Sequence, residues 1–373
     1  MHVYLNDSTK EWYLPPLTPV TEENGYSEEE WGVDGRTDFG GPGYIVDFNE
    51  YLNSGLEWDQ VYDRSLSELL YVDPDVGSLR IGAGDWYDPG FRESFTILGS
   101  YLRETVYTGG GNDVIHDTID GYNEDREWSE GDFFGDQLAG GGGNDTYYVN
   151  SGITKLYEQV QGLDFSSEPD ASGPDAGGID QVIASVSFTL SDYIENLTLV
   201  GDAESGEGNG IDNVIKGNGT YNYLIGYGGE DLLSGRGSGD YLQGGDGSDV
   251  LVGGAGSDSM QGDAGRDLFV FRALDGPGLD RIFDFSSADA LVTDAKLFDS
   301  NNDGVISVGK DKQYALGDGR FVKITNASGV TTTKLEYDGS LTIDGVEFFV
   351  YSTLKSAGTL AMVETRGFDL DSF

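Results

Sequence analysis

From Gly208 to Val270 one apolar residue recurs every nine positions among glycine and polar neighbours. Seven units follow one another without a gap: GNGIDNVIK, GNGTYNYLI, GYGGEDLLS, GRGSGDYLQ, GGDGSDVLV, GGAGSDSMQ and GDAGRDLFV. Every unit begins with Gly. The sixth position is Asn213, Asn222, Asp231, Asp240, Asp249, Asp258 and Asp267, and the eighth is Ile215, Leu224, Leu233, Leu242, Leu251, Met260 and Phe269. Glycine at positions one, two and four permits the positive φ of a tight turn and lets carbonyls crowd inward. The last three residues, polar–apolar–polar about position eight, predict a very short strand with one inward side chain. Two units then make one coil, with a strand on each side and a turn at each end. Coils stacked at ~4.8 Å put the position-six side chains in columns. A column of bare carboxylates repels itself. A hard cation such as Ca²⁺, which takes about 6–8 oxygen ligands, relieves that repulsion.

An interrupted set precedes the block. GSYLRETVY (Gly99 to Tyr107) and TGGGNDVIH (Thr108 to His116) are adjacent, and GDFFGDQLA (Gly131 to Ala139) and GGGGNDTYY (Gly140 to Tyr148) follow after 14 residues. Their sixth positions are Glu104, Asp113, Asp136 and Asp145. If 117–130 loops out, Asp113 and Asp145 stand one coil apart.

The nonapeptide resembles the GGxGxDxUx repeat of RTX (repeats-in-toxin) proteins. The resemblance implies an all-β-dominated chain built on a right-handed parallel β-roll. It implies several calcium ions between units n and n+2, held by position-six aspartates and turn carbonyls. Carried over, the complete pairs are Asp231/Asp249, Asp240/Asp258 and Asp249/Asp267. The turn glycines beside them are Gly226, Gly228, Gly235, Gly237, Gly244, Gly247, Gly253 and Gly256. Asn213/Asp231 and Asn222/Asp240 have an amide in place of one carboxylate and are expected to bind weakly or not at all.

Residues 149–207 leave the nine-residue register, but VIASVSFTL and NLTLV alternate as half-buried strands do. They resemble a segment found between nonapeptide blocks of RTX exoproteins and predict an irregular continuation of the solenoid. Residues 162–178, rich in Gly, Pro, Asp and Ser, predict an exposed loop. After Val270, FRALDGPGLDRIFDFSSADALV is similar to the strand pair that closes RTX rolls. Asp-Gly dipeptides between alternating strands then predict an antiparallel meander over 313–352, with turns at 318–319, 338–339 and 344–345. DSNNDGVISVGK resembles an EF-hand loop through Asp299, Asn301 and Asp303, with Gly304 at the sharp turn. Lys310 stands where a bidentate acid belongs, so a calcium loop and a plain Asx turn both fit. Residues 1–98 have no repeat. They predict a mixed α/β region with a helix about Trp58 to Leu70 and strands at Tyr44–Phe48 and Ser94–Leu98.

Charge narrows the partners. Sixty-seven Asp and Glu against 21 Lys and Arg give a net charge of −46. Such a chain lacks the basic patches that phosphate neutralisation needs, which excludes nucleic acid as a partner. No apolar run reaches the ~20 residues of a membrane span. The N-terminal residues carry no signal-peptide pattern. Fifty-eight glycines with only nine prolines point to many tight turns, and 40 Tyr and Phe supply a core. With no cysteine, disulfides and thiolate chemistry are out.

Catalytic motifs are equally sparse. The two histidines, His2 and His116, form no HExxH, and GxSxG is absent. Acidic pairs are too numerous for any one to mark a glycosidase. No catalytic residue is therefore assigned. The RTX resemblance implies export by type I secretion on an uncleaved C-terminal signal, with calcium-driven folding outside the cell. The expected role is structural: a calcium-ordered surface layer, fibre or matrix component that associates with itself. The alternative is an enzyme or adhesin acting on surface polysaccharide through residues 1–98, with the roll as an export and folding module.

Overall fold

A computed structural model describes residues 111–117, 137–158, 177–299, 303–308, 313–317, 319–343 and 345–354, together with the backbone of seven short strands between Tyr4 and Tyr107. The chain divides into two compact units: Met1–Ile183 with Ser191–Ile194, and Ala184–Leu190 with Glu195–Phe373.

In the second unit the nonapeptides form two parallel ladders, because odd and even units land on opposite sides of each coil. Val214–Lys216, Leu232–Ser234, Val250–Val252 and Leu268–Phe271 run along one side. Their register aligns Ile215, Leu233, Leu251 and Phe269. Tyr223–Gly228, Tyr241–Asp246 and Ser259–Ala264 run along the other, aligning Leu224, Leu242 and Met260. All seven position-eight side chains are fully buried. They form the core between the ladders, and a fully buried Leu or Phe contributes roughly 1.5–3 kcal/mol. The irregular segment joins both ladders. Asn196–Leu199 pairs in parallel with Val214–Lys216, and Ser205–Glu207 with Tyr223–Gly228.

The polar–apolar–polar rule fails on one side. Val250, Val252, Leu268 and Val270, at positions seven and nine, are buried as well as the residues between them. They face outward, and the hairpin of Lys334–Ile343 and Val346–Ser352 covers them with Phe348, Val350, Leu341 and Ile343. Two-sided burial is why these strands read as continuous apolar runs.

The end of the roll also differs from the sequence reading. The segment expected to close it supplies another coil instead. Gly278–Ile282 pairs in parallel with Ser259–Ala264, and Ala290–Thr293 with Leu268–Phe271. Nor is 313–352 one meander. Tyr314–Gly317 and Arg320–Ile324 form a hairpin on one ladder, where Arg320–Ile324 pairs in parallel with Gly278–Ile282. The second hairpin continues the other ladder through an antiparallel pairing of Val346–Ser352 with Ala290–Thr293. Asp338-Gly339 is no turn. The strand runs through it with a bulge between Tyr337 and Gly339, where the φ of +148° suits only glycine. Parallel edges left open would template aggregation, and these hairpins occupy them.

In the first unit Val114–His116 pairs in parallel with Thr146–Val149, and Gln137–Ala139 with Lys155–Tyr157. Tyr44–Asp47 pairs in parallel with Phe95–Leu98, which in turn pairs with Val114–His116. Ser78–Ile81 pairs in parallel with Glu104–Tyr107. The helix expected about Trp58 to Leu70 lies outside the described residues, except that Leu70 begins the strand Leu70–Asp73. Among the described residues the only helical turn is the 3₁₀ segment Ala273–Asp275.

Candidate metal centre

Parallel stacking sets each position-six residue directly over the one 18 residues on. The backbone N–H of one donates to Oδ1 of the next: Asp231 to Asp249 at 2.9 Å, Asp240 to Asp258 at 2.8 Å, and Asp249 to Asp267 at 3.0 Å. All five aspartates are at most 2% exposed. One carboxylate oxygen is thus used in holding the coils together. The other turns into the coil. A Cβ placed on Gly226 would lie 2.2 Å from Asp231 Oδ2 and 2.5 Å from the Gly244 carbonyl oxygen. On Gly235 it would lie 2.4 Å from Asp240 Oδ2 and 2.6 Å from the Gly253 carbonyl. Carboxylate and carbonyl oxygens therefore converge on space that only glycine at position one leaves open. For Asp240, Asp258 and Asp267 that Oδ2 is buried and meets no hydrogen-bond donor. Leaving such an oxygen dry costs about 1–3 kcal/mol, and more when it is charged.

Electrostatics agree with geometry. Burial pushes the pKa of Asp240 up to about 7. For Asp258 and Asp267 burial, reinforced by carboxylates on neighbouring coils, pushes it to about 8. These groups resist ionisation unless positive charge joins them. Where the column ends, the protein itself supplies the missing partner. Asn222 Nδ2 donates to the Ala203 carbonyl at 2.9 Å, and Asn213 Nδ2 reaches the Glu195 carbonyl at 3.3 Å. At the other end Asp289 Oδ2 accepts the Ser286 N–H at 2.6 Å. Asp280 is buried and raised only to about 6, with the Arg320 guanidinium opposing the rise. The ends are satisfied by amides, N–H groups and an arginine. The middle offers oxygens alone. That donor set, hard and anionic, fits calcium.

The remaining turn glycines act by space. A Cβ on Gly247 or Gly256, at φ +145° and +138°, would sit 1.6 Å from the carbonyl oxygen of Gly229 or Ser238 in the preceding coil. Gly228 and Gly237 are not crowded, their nearest contacts being 3.8 and 3.6 Å. In the first unit the Asp113 N–H donates to Asp145 Oδ1 and the Asp145 N–H to Asp180 Oδ1, each at 2.7 Å. The pairing of Asp113 with Asp145 matches the register expected if 117–130 loops out. Asp136 and Asn301 lie outside the described residues. Asp303 Oδ1 accepts the Val305 N–H at 2.8 Å, two residues on, as in an Asx turn, whereas Asp299 Oδ2 reaches across the loop to accept the Gly304 N–H at 2.7 Å, five residues on. His116 stacks on Tyr148 with ring centroids 4.3 Å apart, and burial lowers its pKa.

The columns run beyond the residues that the nonapeptide rule selected. The Asp258 N–H donates to Asp280 Oδ1 at 2.9 Å and the Asp267 N–H to Asp289 Oδ1 at 3.1 Å, each after 22 residues instead of 18. Asp180 extends the first-unit column after 35 residues. A signal existed: D-Q-V at 180, D-R-I at 280 and D-A-L at 289 keep the D-x-apolar triplet after the glycine frame is lost.

Known proteins carry the same signature. The RTX calcium-binding nonapeptide repeat matches four times, over residues 98–125, 122–156, 207–242 and 234–269. The endo-1,3-1,4-beta-glycanase ExsH of Rhizobium meliloti (strain 1021) is 29% identical over 132 residues, 33% of this chain and 24% of that protein. The chain thus matches about a quarter of that relative's length. With glycine turns, paired aspartates and a parallel β-roll all in the register that this repeat demands, the chain carries RTX calcium-binding nonapeptide repeats over residues 98–156 and 207–269.

Proposed function

We propose that the chain is an extracellular calcium-ordered scaffold, exported by type I secretion and folding outside the cell into a surface layer, fibre or matrix component. The observation that carries this reading is the pair of aspartate columns. Their buried Oδ2 oxygens make the fold depend on cations that are scarce in a cytosol and plentiful outside it. In this reading Asp231, Asp240, Asp249, Asp258 and Asp267 hold the ions with turn carbonyls. Asp113 and Asp145 do the same in the first unit. Calcium also bridges acidic faces between molecules, since a net charge of −46 otherwise keeps them apart. Among the described residues no helix is long and apolar enough to cross a membrane.

The glycanase similarity favours a second reading, in which the chain acts on a polysaccharide, and residues 1–98, which carry no repeat, are then the segment that acts. Trp12, Trp31, Trp58 and Trp86, whose exposure would bear on it, have no described side chains. Static light scattering during a calcium titration separates the two. Growth from 40.1 kDa into large assemblies at millimolar calcium is expected for the scaffold. A monomer at every calcium concentration rejects it. Release of reducing ends from a mixed-linkage β-glucan would then support the second reading.

A further inference from the structure

One acidic residue stands where the roll wants glycine. Lys155–Tyr157 pairs in register with Gln137–Ala139, so the next residue, Glu158, occupies the place of Gly140 in the preceding coil. At Gly140 a Cβ would lie 2.1 Å from Asp145 Oδ2 and 2.7 Å from the Tyr147 hydroxyl. One coil on, the chain places a carboxylate at that position. Glu158 is 1% exposed, and one oxygen from each of Asp145, Glu158 and Asp180 lies within 4.8 Å of the others. Tyr147, the position-eight residue of its unit, donates its hydroxyl proton to Glu158 Oε1 and accepts the Gly140 N–H at 2.6 Å. The tyrosine fixes the glutamate from one side. Asp145 Oδ2, buried and without a hydrogen-bond donor, points into the same space.

We infer that Asp145, Asp180 and Glu158 bind one calcium ion more tightly than any two-aspartate rung, making this coil the first to load. The inference rests on the calcium reading above and extends it to a residue outside the nonapeptide pattern. The physical reason is ligand charge. Calcium affinity in oxygen sites rises with the number of carboxylates and the rigidity of the cage. This site has a third carboxylate and a tyrosine that holds it.

Calcium calorimetry on the full chain tests it, comparing the wild type with Glu158→Gly, which restores the residue of the preceding coil, and Glu158→Gln. The expected result is loss of the tightest binding class, weakened tenfold or more, while the weaker sites and the millimolar-calcium circular dichroism stay unchanged. Equal isotherms overturn the inference, because Glu158 would then serve as a neutral acid hydrogen-bonded to its neighbours. If the wild type binds no calcium at all, it is the calcium reading that fails. Should neither variant fold, terbium added to the calcium-free wild type decides. With Tyr147 beside the cage, the first equivalent is expected to give tyrosine-sensitised emission. Emission that rises only with later equivalents overturns the inference.

Discussion

Asp258→Asn is expected to act in opposite directions on the two forms of the chain. In calcium it removes a carboxylate that both of its neighbours in the column face. Breaking one member of a buried charged set costs about 3–5 kcal/mol. The calcium midpoint for folding should rise at least tenfold. Without calcium the same change removes a charge that the fold cannot solvate. The pKa of Asp258 stands at about 8 against 3.8 in the unfolded chain, so at pH 7 the folded chain takes up a proton there and folding loses roughly 4 kcal/mol. Asparagine retains the oxygen that accepts the Asp240 N–H and carries no charge. Urea unfolding in calcium and the folded fraction in chelator are the two readouts. No change in either would mean that Asp258 serves only as a hydrogen-bond acceptor, and destabilisation in both would mean that its charge does not oppose the calcium-free fold. The chain already contains this experiment at Asn213 and Asn222, where amides close the columns with hydrogen bonds.

Acid is expected to substitute for calcium. Burial raises Asp145, Asp258 and Asp267 to about 8 and Asp240 to about 7 in the folded chain, against an ordinary carboxylate value of 3.8. A raised folded-state pKa adds stability that is complete below the unfolded value and is lost as pH climbs through the folded one. The calcium-free fold is therefore favoured toward pH 4 and loses that support progressively up to pH 7–8. Each pKa unit is worth about 1.4 kcal/mol, and four such groups together match or exceed the ~5–15 kcal/mol net stability of a domain. In chelator, far-UV circular dichroism should show β-structure at pH 5, above the pI of about 4.1, and its loss by pH 8. Indifference to pH would show that these carboxylates do not oppose folding. With calcium bound the dependence reverses, because protons compete for the same oxygens.

What was legible in the sequence is what the repeat repeats. Position eight predicted Ile215 through Phe269 as a core column, and each is fully buried. Position six predicted the spacing of the column aspartates, since parallel register follows directly from equal unit length. Departures arise where a long-range contact overrides the local rule. Val250 and Val270 are apolar on the outer face because a hairpin some 80 residues later covers them, and no nine-residue window contains that fact. Asp338-Gly339 has the dipeptide of a turn, but its strand is held on both sides, by Val305–Ser307 and by Val346–Ser352, so the glycine relieves a bulge. Asp280 and Asp289 escaped because the coil that carries them is four residues longer, even though the D-x-apolar triplet survives. Glu158 escaped for the opposite reason. A glycine rule marks where glycine is and says nothing of a charge put in its place.

The central claim is that cations between the aspartate columns complete the fold. Its most direct test is the far-UV circular dichroism of the wild-type chain at pH 7.5, first in chelator and then at millimolar calcium. The account predicts an unfolded spectrum that becomes β-rich on adding calcium and reverts when the metal is removed. A β-rich spectrum in chelator, unchanged by calcium, would contradict it.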